Sequence, residues 1–165
     1  MLGKRNLTIT AKSDLEIVWT RAFNAPPEFV FEAFTTPALV QRWLLGPDGW
    51  TMPVCEVDLR VGGSYRYVWS HAQQGTMGVG GVYREIKKPS RIVQTEKFDQ
   101  AWYPGEALQT LELKKEGSMT WMTATALFET KEARDAALNS NMEKGMVPSY
   151  DRLDEIAEQN AKAAS

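Results

Sequence analysis

Apolar and polar residues alternate along Pro53-Val-Cys-Glu-Val-Asp-Leu-Arg-Val-Gly-Gly-Ser-Tyr-Arg-Tyr-Val-Trp69. Cys55, Val57 and Leu59 interleave with Glu56, Asp58 and Arg60; beyond Gly62-Gly63, Tyr65, Tyr67 and Trp69 interleave with Ser64, Arg66 and Val68. A period of two predicts two half-buried strands, and the glycine pair predicts the tight turn between them. Downstream, short turn signals at 71–75, 87–90, 99–105 and 115–117 separate further strand-like runs. Connections that short cannot carry parallel crossovers, so the six strands from Pro53 onward are expected to form an antiparallel meander. Leu15-Glu-Ile-Val-Trp-Thr-Arg-Ala-Phe23, rich in strand formers, adds a seventh. Gly78, Gly80 and Gly81 lie where a strand would bend.

Helical patterns occupy the remaining stretches. Asn24-Ala-Pro-Pro27 precedes Glu28-Phe-Val-Phe-Glu-Ala-Phe34, and Thr36-Pro37 opens a second short helix through Trp43 with a capping hydroxyl followed by proline at the first helical position. Residues 130–138 and 141–162 are helical by composition. In the latter, Met142, Met146, Tyr150, Leu153 and Ala157 recur every three or four positions and form one apolar stripe, with Pro148 expected to kink it. A sheet with one apolar face must cover it, and the last helix is the long amphipathic element available, so the sheet should curl around that helix.

The chain has 165 residues, enough to bury about 70% of its unfolded surface without metal or disulfide support. Residues 1–13 are polar and aperiodic and are read as a flexible amino-terminal arm; residues 14–165 are read as a single domain. Nineteen basic against 21 acidic residues, with no basic run, disfavours nucleic-acid binding. No stretch reaches the roughly 18 apolar residues of a spanning helix, and the start lacks the apolar block of a signal peptide. With a single cysteine as well, a cytoplasmic location is the expectation.

Several segments carry a more specific likeness. Phe23-Asn-Ala-Pro26, Thr36-Pro37 leading to Arg42-Trp43, Gly46-Pro-Asp-Gly-Trp50, Val54-Cys-Glu-Val-Asp-Leu-Arg-Val-Gly-Gly63, Gly81-Val-Tyr-Arg-Glu-Ile86 and Lys131-Glu-Ala-Arg-Asp-Ala-Ala-Leu138 closely resemble the bacterial homologues of the heat-shock-protein-ninety ATPase activator. That family belongs to the helix-grip (SRPBCC) superfamily, with START lipid-binding domains, polyketide cyclases and the birch pollen allergen. The resemblance covers about residues 15–158. It implies an α+β helix-grip fold: a seven-stranded curved antiparallel sheet, two short helices after strand one, wrapped around a long carboxy-terminal helix. Where many relatives read Arg-Trp-Trp-Gly-Pro, this chain places Leu44-Leu45 between Arg42-Trp43 and Gly46-Pro47, a difference at the expected cavity rim. Eukaryotic activators carry a separate amino-terminal domain that engages the chaperone. No such domain fits in this length, so direct chaperone activation is not expected.

In helix-grip relatives the space between sheet and last helix commonly holds an apolar or amphipathic small molecule, which implies such a ligand here. On that reading Tyr65, Tyr67 and Trp69 face inward, with Cys55, Val57 and Leu59 beside them. For residues 121–128, the wholly apolar set Met122, Ala124, Ala126 and Phe128 is placed inside, leaving Trp121, Thr123, Thr125 and Leu127 outside. Gln109, Leu111 and Leu113 turn inward on the preceding strand, and Gln94, Glu96 and Phe98 form one face of the strand before that. Gln109 then has no evident core partner, and Glu96 is costly to bury unpaired. Trp43 and Trp50 fall near the rim, while Met142, Met146 and Tyr150 come from the helix; together these make the candidate ligand-binding set. The alternative is that the same side chains fill an ordinary core, with the tyrosine hydroxyls reaching solvent or one another.

Catalytic chemistry is sparse. His71, the single histidine, falls in a predicted turn and reads as a solvated loop residue; its solitude excludes a histidine triad or a multi-histidine metal site. Cys55 reads as a buried inert thiol. The glycines of 75–81 lack the spacing and following helix of a phosphate loop. No cofactor or metal is expected and no catalytic residue is assigned. Glu96, Tyr65 and Tyr67 are the acid–base candidates that keep open an enzyme of the cyclase, dehydratase or hydrolase type. The third alternative is an interaction module: Trp121, Leu127 and Leu108 would form an outer apolar patch suited to weak homodimerisation.

Overall fold

The computed structural model describes residues 6–100 and 102–164. Among them, eight strands form one antiparallel sheet: β1 (Thr8–Ala11), β2 (Glu16–Phe23), β3 (Trp50–Val57), β4 (Ser64–His71), β5 (Gly75–Lys87), β6 (Arg91–Phe98), β7 (Ala107–Glu116) and β8 (Met119–Leu127), in the spatial order β1-β2-β8-β7-β6-β5-β4-β3. Short helices α1 (Pro27–Thr35) and α2 (Pro37–Trp43) separate β2 from β3, and α3 (Lys131–Leu138) and α4 (Glu143–Ala164) follow the sheet. The curved sheet and long terminal helix are the helix-grip architecture. The meander from β3 to β8 is as the short turns require, and β8 returns to pair with β2.

One strand is additional. Thr8–Ala11, part of the segment read as a flexible arm, pairs with β2 from Thr8 opposite Thr20 to Ala11 opposite Ile17. Four residues with one large apolar side chain give almost no periodic signal, and the edge of β2 supplies the hydrogen-bonding partner that makes them a strand. Residues 1–5 of that arm lie outside the described residues.

The turns follow backbone sterics. Gly62 has φ +86°, closed to most side chains, and its N–H donates to the Tyr83 carbonyl at 2.8 Å, tying the β3–β4 turn to β5. Gly81 answers a different demand: a Cβ there would stand 1.9 Å from the Thr95 carbonyl oxygen. Next to it the Val82 N–H donates to the Thr95 hydroxyl oxygen at 2.9 Å, and the β5–β6 register shifts between Tyr83 and Glu85. The strand bends where glycine allows the two backbones to close.

Proline at the first helical position opens both α1 and α2. The Thr36 side chain makes no capping bond, contrary to the capping device expected there, whereas Thr130 does cap α3, accepting from the Ala133 N–H at 3.1 Å. Helix α4 runs through Pro148 and buries Tyr150, Leu153, Ile156 and Ala157. Leu153 and Ile156, nearly free of solvent contact, contribute about 1.5–3 kcal/mol each. Its position is fixed by charge as well. Arg21 on β2, itself buried, donates to Asp154 at 2.8 Å and to Asp151 at 2.8 Å, and the other Asp154 oxygen accepts the Asn24 N–H at 3.1 Å. Among the described residues no helix is long and apolar enough to cross a membrane.

On the outer face, Leu108 stands opposite Leu127 in the β7–β8 ladder, and Leu127 is exposed. Trp121 and Leu108 are half-buried, so the patch is smaller than alternation alone suggests.

Candidate functional site

Between the concave face of the sheet and the first half of α4 lies a cavity of about 530 Å³. Its floor is built from alternating inward positions. Tyr65, Tyr67 and Trp69 come from β4; Gln94, Glu96 and Phe98 from β6; Gln109 and Leu111 from β7; Ala124 and Ala126 from β8, with Phe128 just beyond it. Met142, Met146, Ser149 and Tyr150 close it from the helical side, and Leu44 to Pro47, with Trp50, form the rim. Leu44-Leu45 therefore lies on the cavity itself.

The volume exists because two small residues face several large ones. Ala124 and Ala126 lie on β8, third in the strand order, where bulkier side chains would fill the space, while the rings of β4 meet in tilted and edge-to-face contacts along the strand. Tyr65 lies 5.1 Å from Tyr67 and 5.6 Å from Tyr83, and Tyr67 lies 6.1 Å from Trp69. Their polar ends are held within the wall. Tyr65 Oη donates to the Thr95 carbonyl at 2.6 Å, and Trp69 Nε1 to the Leu44 carbonyl at 2.7 Å. Trp43 is almost wholly buried, donates to the Ala33 carbonyl at 2.8 Å and stacks on Tyr150 at 5.9 Å, so it is a fixed wall residue and not a gate. Trp50 packs 5.1 Å from His71.

Of the residues placed inward from the sequence, Cys55, Val57, Leu59, Leu113 and Met122 stand outside the lining, Leu113 being buried in the core. Cys55 and Val57 share a face with Tyr67 and Tyr65, directly opposite them in the ladder, but they lie toward the far end of edge strand β3, whose first residue, Trp50, is the one that reaches the lining. Leu59 lies beyond the end of β3 and is exposed. Met122 does face inward and is fully buried, yet it packs in the solid core beside Thr120, whose hydroxyl donates to Ala25 ahead of α1. One face of β8 thus serves two surroundings, core at its start and cavity further along.

The polar centre is Glu96. Tyr103 Oη donates to its Oε1 at 3.0 Å and Gln109 Nε2 donates to the same oxygen at 3.1 Å. This pairing supplies the partners that alternation left unassigned for both Glu96 and Gln109. Burial raises the Glu96 pKa; the bonds from Tyr103 and Gln109 oppose that rise. Burial first, and the nearby Glu96 second, raise the pKa values of Tyr65 and Tyr103. Tyr67 is also well raised by burial, and Tyr150 reaches about 12 for the same reason.

Tyr103, absent from the sequence-derived set, sits in a segment that reads as a turn, where alternation gives no orientation. The adjacent aromatic pair Trp102-Tyr103 was the available signal. Trp19 was likewise missed; it lines the cavity and donates to Tyr150 Oη at 2.9 Å. His71 departs from the solvated-loop reading: it ends β4, is half-buried, and its Nδ1 accepts the Gln73 and Gln74 N–H groups at 3.1 and 3.2 Å, fixing the turn. Burial, then Glu56, pushes the Cys55 thiol up to about 11, keeping it protonated and unreactive at neutral pH. Among the described residues no group of three or more metal-ligating side chains gathers.

The sequence model of the family described as Activator of Hsp90 ATPase homolog 1-like protein matches residues 24–158. No curated protein matches the chain. Among solved structures, a Rhodobacter sphaeroides protein is 33% identical with a TM-score of 0.85, the match covering 91% of this chain and 96% of that one. A Chromobacterium violaceum protein is 30% identical with a TM-score of 0.76, covering 88% and 99%. A Plasmodium falciparum protein described as an HSP90 activator shares the fold at 23% identity and a TM-score of 0.59, covering 81% of this chain and 91% of that one.

Proposed function

The chain belongs to the family of Activator of Hsp90 ATPase homolog 1-like proteins, and we propose that it binds an apolar or amphipathic small molecule in the cavity between the curved sheet and α4. The observation that carries this reading is the space itself. About 530 Å³ stays open among aromatic and aliphatic walls with a few convergent polar groups, within the roughly 300–1,000 Å³ of small-molecule sites. A core serving stability alone would close such a volume, because unfilled space forfeits packing energy.

The polar groups favour recognition over acid–base catalysis. The Tyr65 and Tyr103 hydroxyls are committed to the Thr95 carbonyl and the Glu96 carboxyl. Neither is poised as a free acid or base beside Glu96, so the enzyme alternative is the lesser one.

Nile red, uncharged and bright in apolar surroundings, is the test probe. Wild type should bind it with saturable enhancement, and Ala126→Leu, which extends a side chain into the cavity, should weaken binding with the fold preserved by circular dichroism. Unaltered binding in the folded variant would place the dye elsewhere and defeat the reading. Mass spectrometry of small molecules released from the purified protein addresses the natural ligand. Direct chaperone activation is no part of the proposal: the protein added to an Hsp90 ATPase assay should leave the rate unchanged.

Weak self-association through the outer face of β7 and β8 is a lesser element, favoured by the facing pair Leu108 and Leu127. Sedimentation should show a dimer at high concentration that Trp121→Glu dissociates; a wild-type monomer throughout rules it out.

A further inference from the structure

The cavity is chemically lopsided. Among the described residues its lining holds the Glu96 carboxyl and no lysine, arginine or histidine. The two donors that reach Glu96, Tyr103 Oη at 3.0 Å and Gln109 Nε2 at 3.1 Å, both converge on Oε1. No described residue is bonded to Oε2, and that oxygen is not sealed within the protein. A carboxyl so placed presents one saturated oxygen to the wall and one unsatisfied oxygen to the space.

A carboxylate in an apolar lining without a counter-charge is costly, and burial shifts the half-buried Glu96 toward its neutral form. With two donors already on Oε1, the proton belongs on Oε2. The titratable groups coupled to this carboxyl are Tyr65 and Tyr67 from β4 and Tyr103 from the segment before β7, and the exposed Glu106 borders two of these tyrosines. All three phenols are raised by burial and stay uncharged at neutral pH. In the neutral form that burial favours, Glu96 therefore offers an O–H donor to an apolar enclosure.

Resting on the ligand-binding reading above, we infer that the cavity selects an uncharged ligand whose carbonyl oxygen accepts a hydrogen bond at Glu96 Oε2, and discriminates against carboxylate amphiphiles of the fatty-acid type. A ligand carboxylate would lose its hydration with no lining cation to replace it. A carbonyl oxygen loses little on entry and satisfies the carboxyl proton.

Three naphthalenes of similar shape separate the outcomes: 2-acetylnaphthalene, 2-naphthoate and 2-(aminomethyl)naphthalene, titrated from pH 4.5 up to neutrality against the tryptophan emission of the full chain. The ketone should bind at least about tenfold more tightly than the carboxylate. Glu96→Leu should weaken the ketone by about tenfold, and Glu96→Gln, which retains an N–H donor, should preserve its binding. Wild-type binding of the ketone should fall as pH rises through the Glu96 pKa, and that fall should be absent in Glu96→Gln. Equal affinity for ketone and carboxylate, a preference for the ammonium, or ketone binding indifferent to Glu96→Leu overturns the selectivity while leaving the cavity a binding site. Failure of Nile red and of all three naphthalenes to bind overturns both.

Discussion

The indole nitrogen of Trp19 donates to the hydroxyl of Tyr150 at 2.9 Å, joining β2 to α4 across 131 positions of sequence at the wall of the cavity. Tyr150→Phe removes the acceptor, keeps the ring, and leaves a buried N–H unsatisfied. The expected cost is about 1–2 kcal/mol, seen as a lower urea midpoint with an unchanged slope.

The Arg21 cluster should be more costly to break. Asp154 is almost fully buried, whereas its neighbour Asp151 is 59% exposed at the side chain. Asp154→Ala leaves the buried guanidinium short of charge and should destabilise by about 3 kcal/mol; Asp151→Ala should cost about 1 kcal/mol or less. Replacing both members of the buried pair, Arg21→Met with Asp154→Leu, should be milder than Asp154→Ala alone. Chemical denaturation of the four proteins gives the order.

Two glycines separate steric contact from backbone strain. At Gly81 an added Cβ meets the Thr95 backbone oxygen at 1.9 Å, and at Gly117, with φ +64°, it meets nothing within 4 Å. Gly117→Ala should cost about 1 kcal/mol from backbone conformation, and Gly81→Ala more than about 2 kcal/mol because neither backbone can yield without opening the bend. Equal midpoints for the two variants would contradict this account of the β5–β6 bend.

Glu96 makes stability depend on pH. Its carboxyl is raised on folding above the ordinary 4.5, chiefly by burial, so the folded chain holds this proton more tightly than the unfolded one. The corresponding stabilisation is fully present below 4.5 and is lost as pH rises through the folded value. Glu96→Gln does not titrate at this position. The melting temperature of Glu96→Gln relative to wild type should therefore climb with pH across that window and then level off, and a flat difference would exclude the raised carboxyl.

Local chemistry in the sequence determined the elements and their faces. The alternation of Tyr65, Tyr67 and Trp69, the apolar phase Met122-Ala124-Ala126-Phe128 and the turn at Gly62 all depend on a residue and its near neighbours, so they are legible without a fold. The apolar stripe of the last helix placed it against the sheet, and the resemblance added the expectation of a cavity between them. Tertiary structure decided whatever depends on a distant partner. Thr8–Ala11 became a strand because β2 offered an edge. Cys55 and Val57 missed the cavity because they sit at the far end of edge strand β3, away from Trp50, and Met122 missed it because it packs in the core at the start of β8. Glu96 and Gln109, both conspicuous as inward polar residues, met each other and Tyr103 across three chain segments. The open volume is the furthest from the sequence, because it is the difference between the curvature of the sheet and the summed size of side chains contributed from every part of the chain.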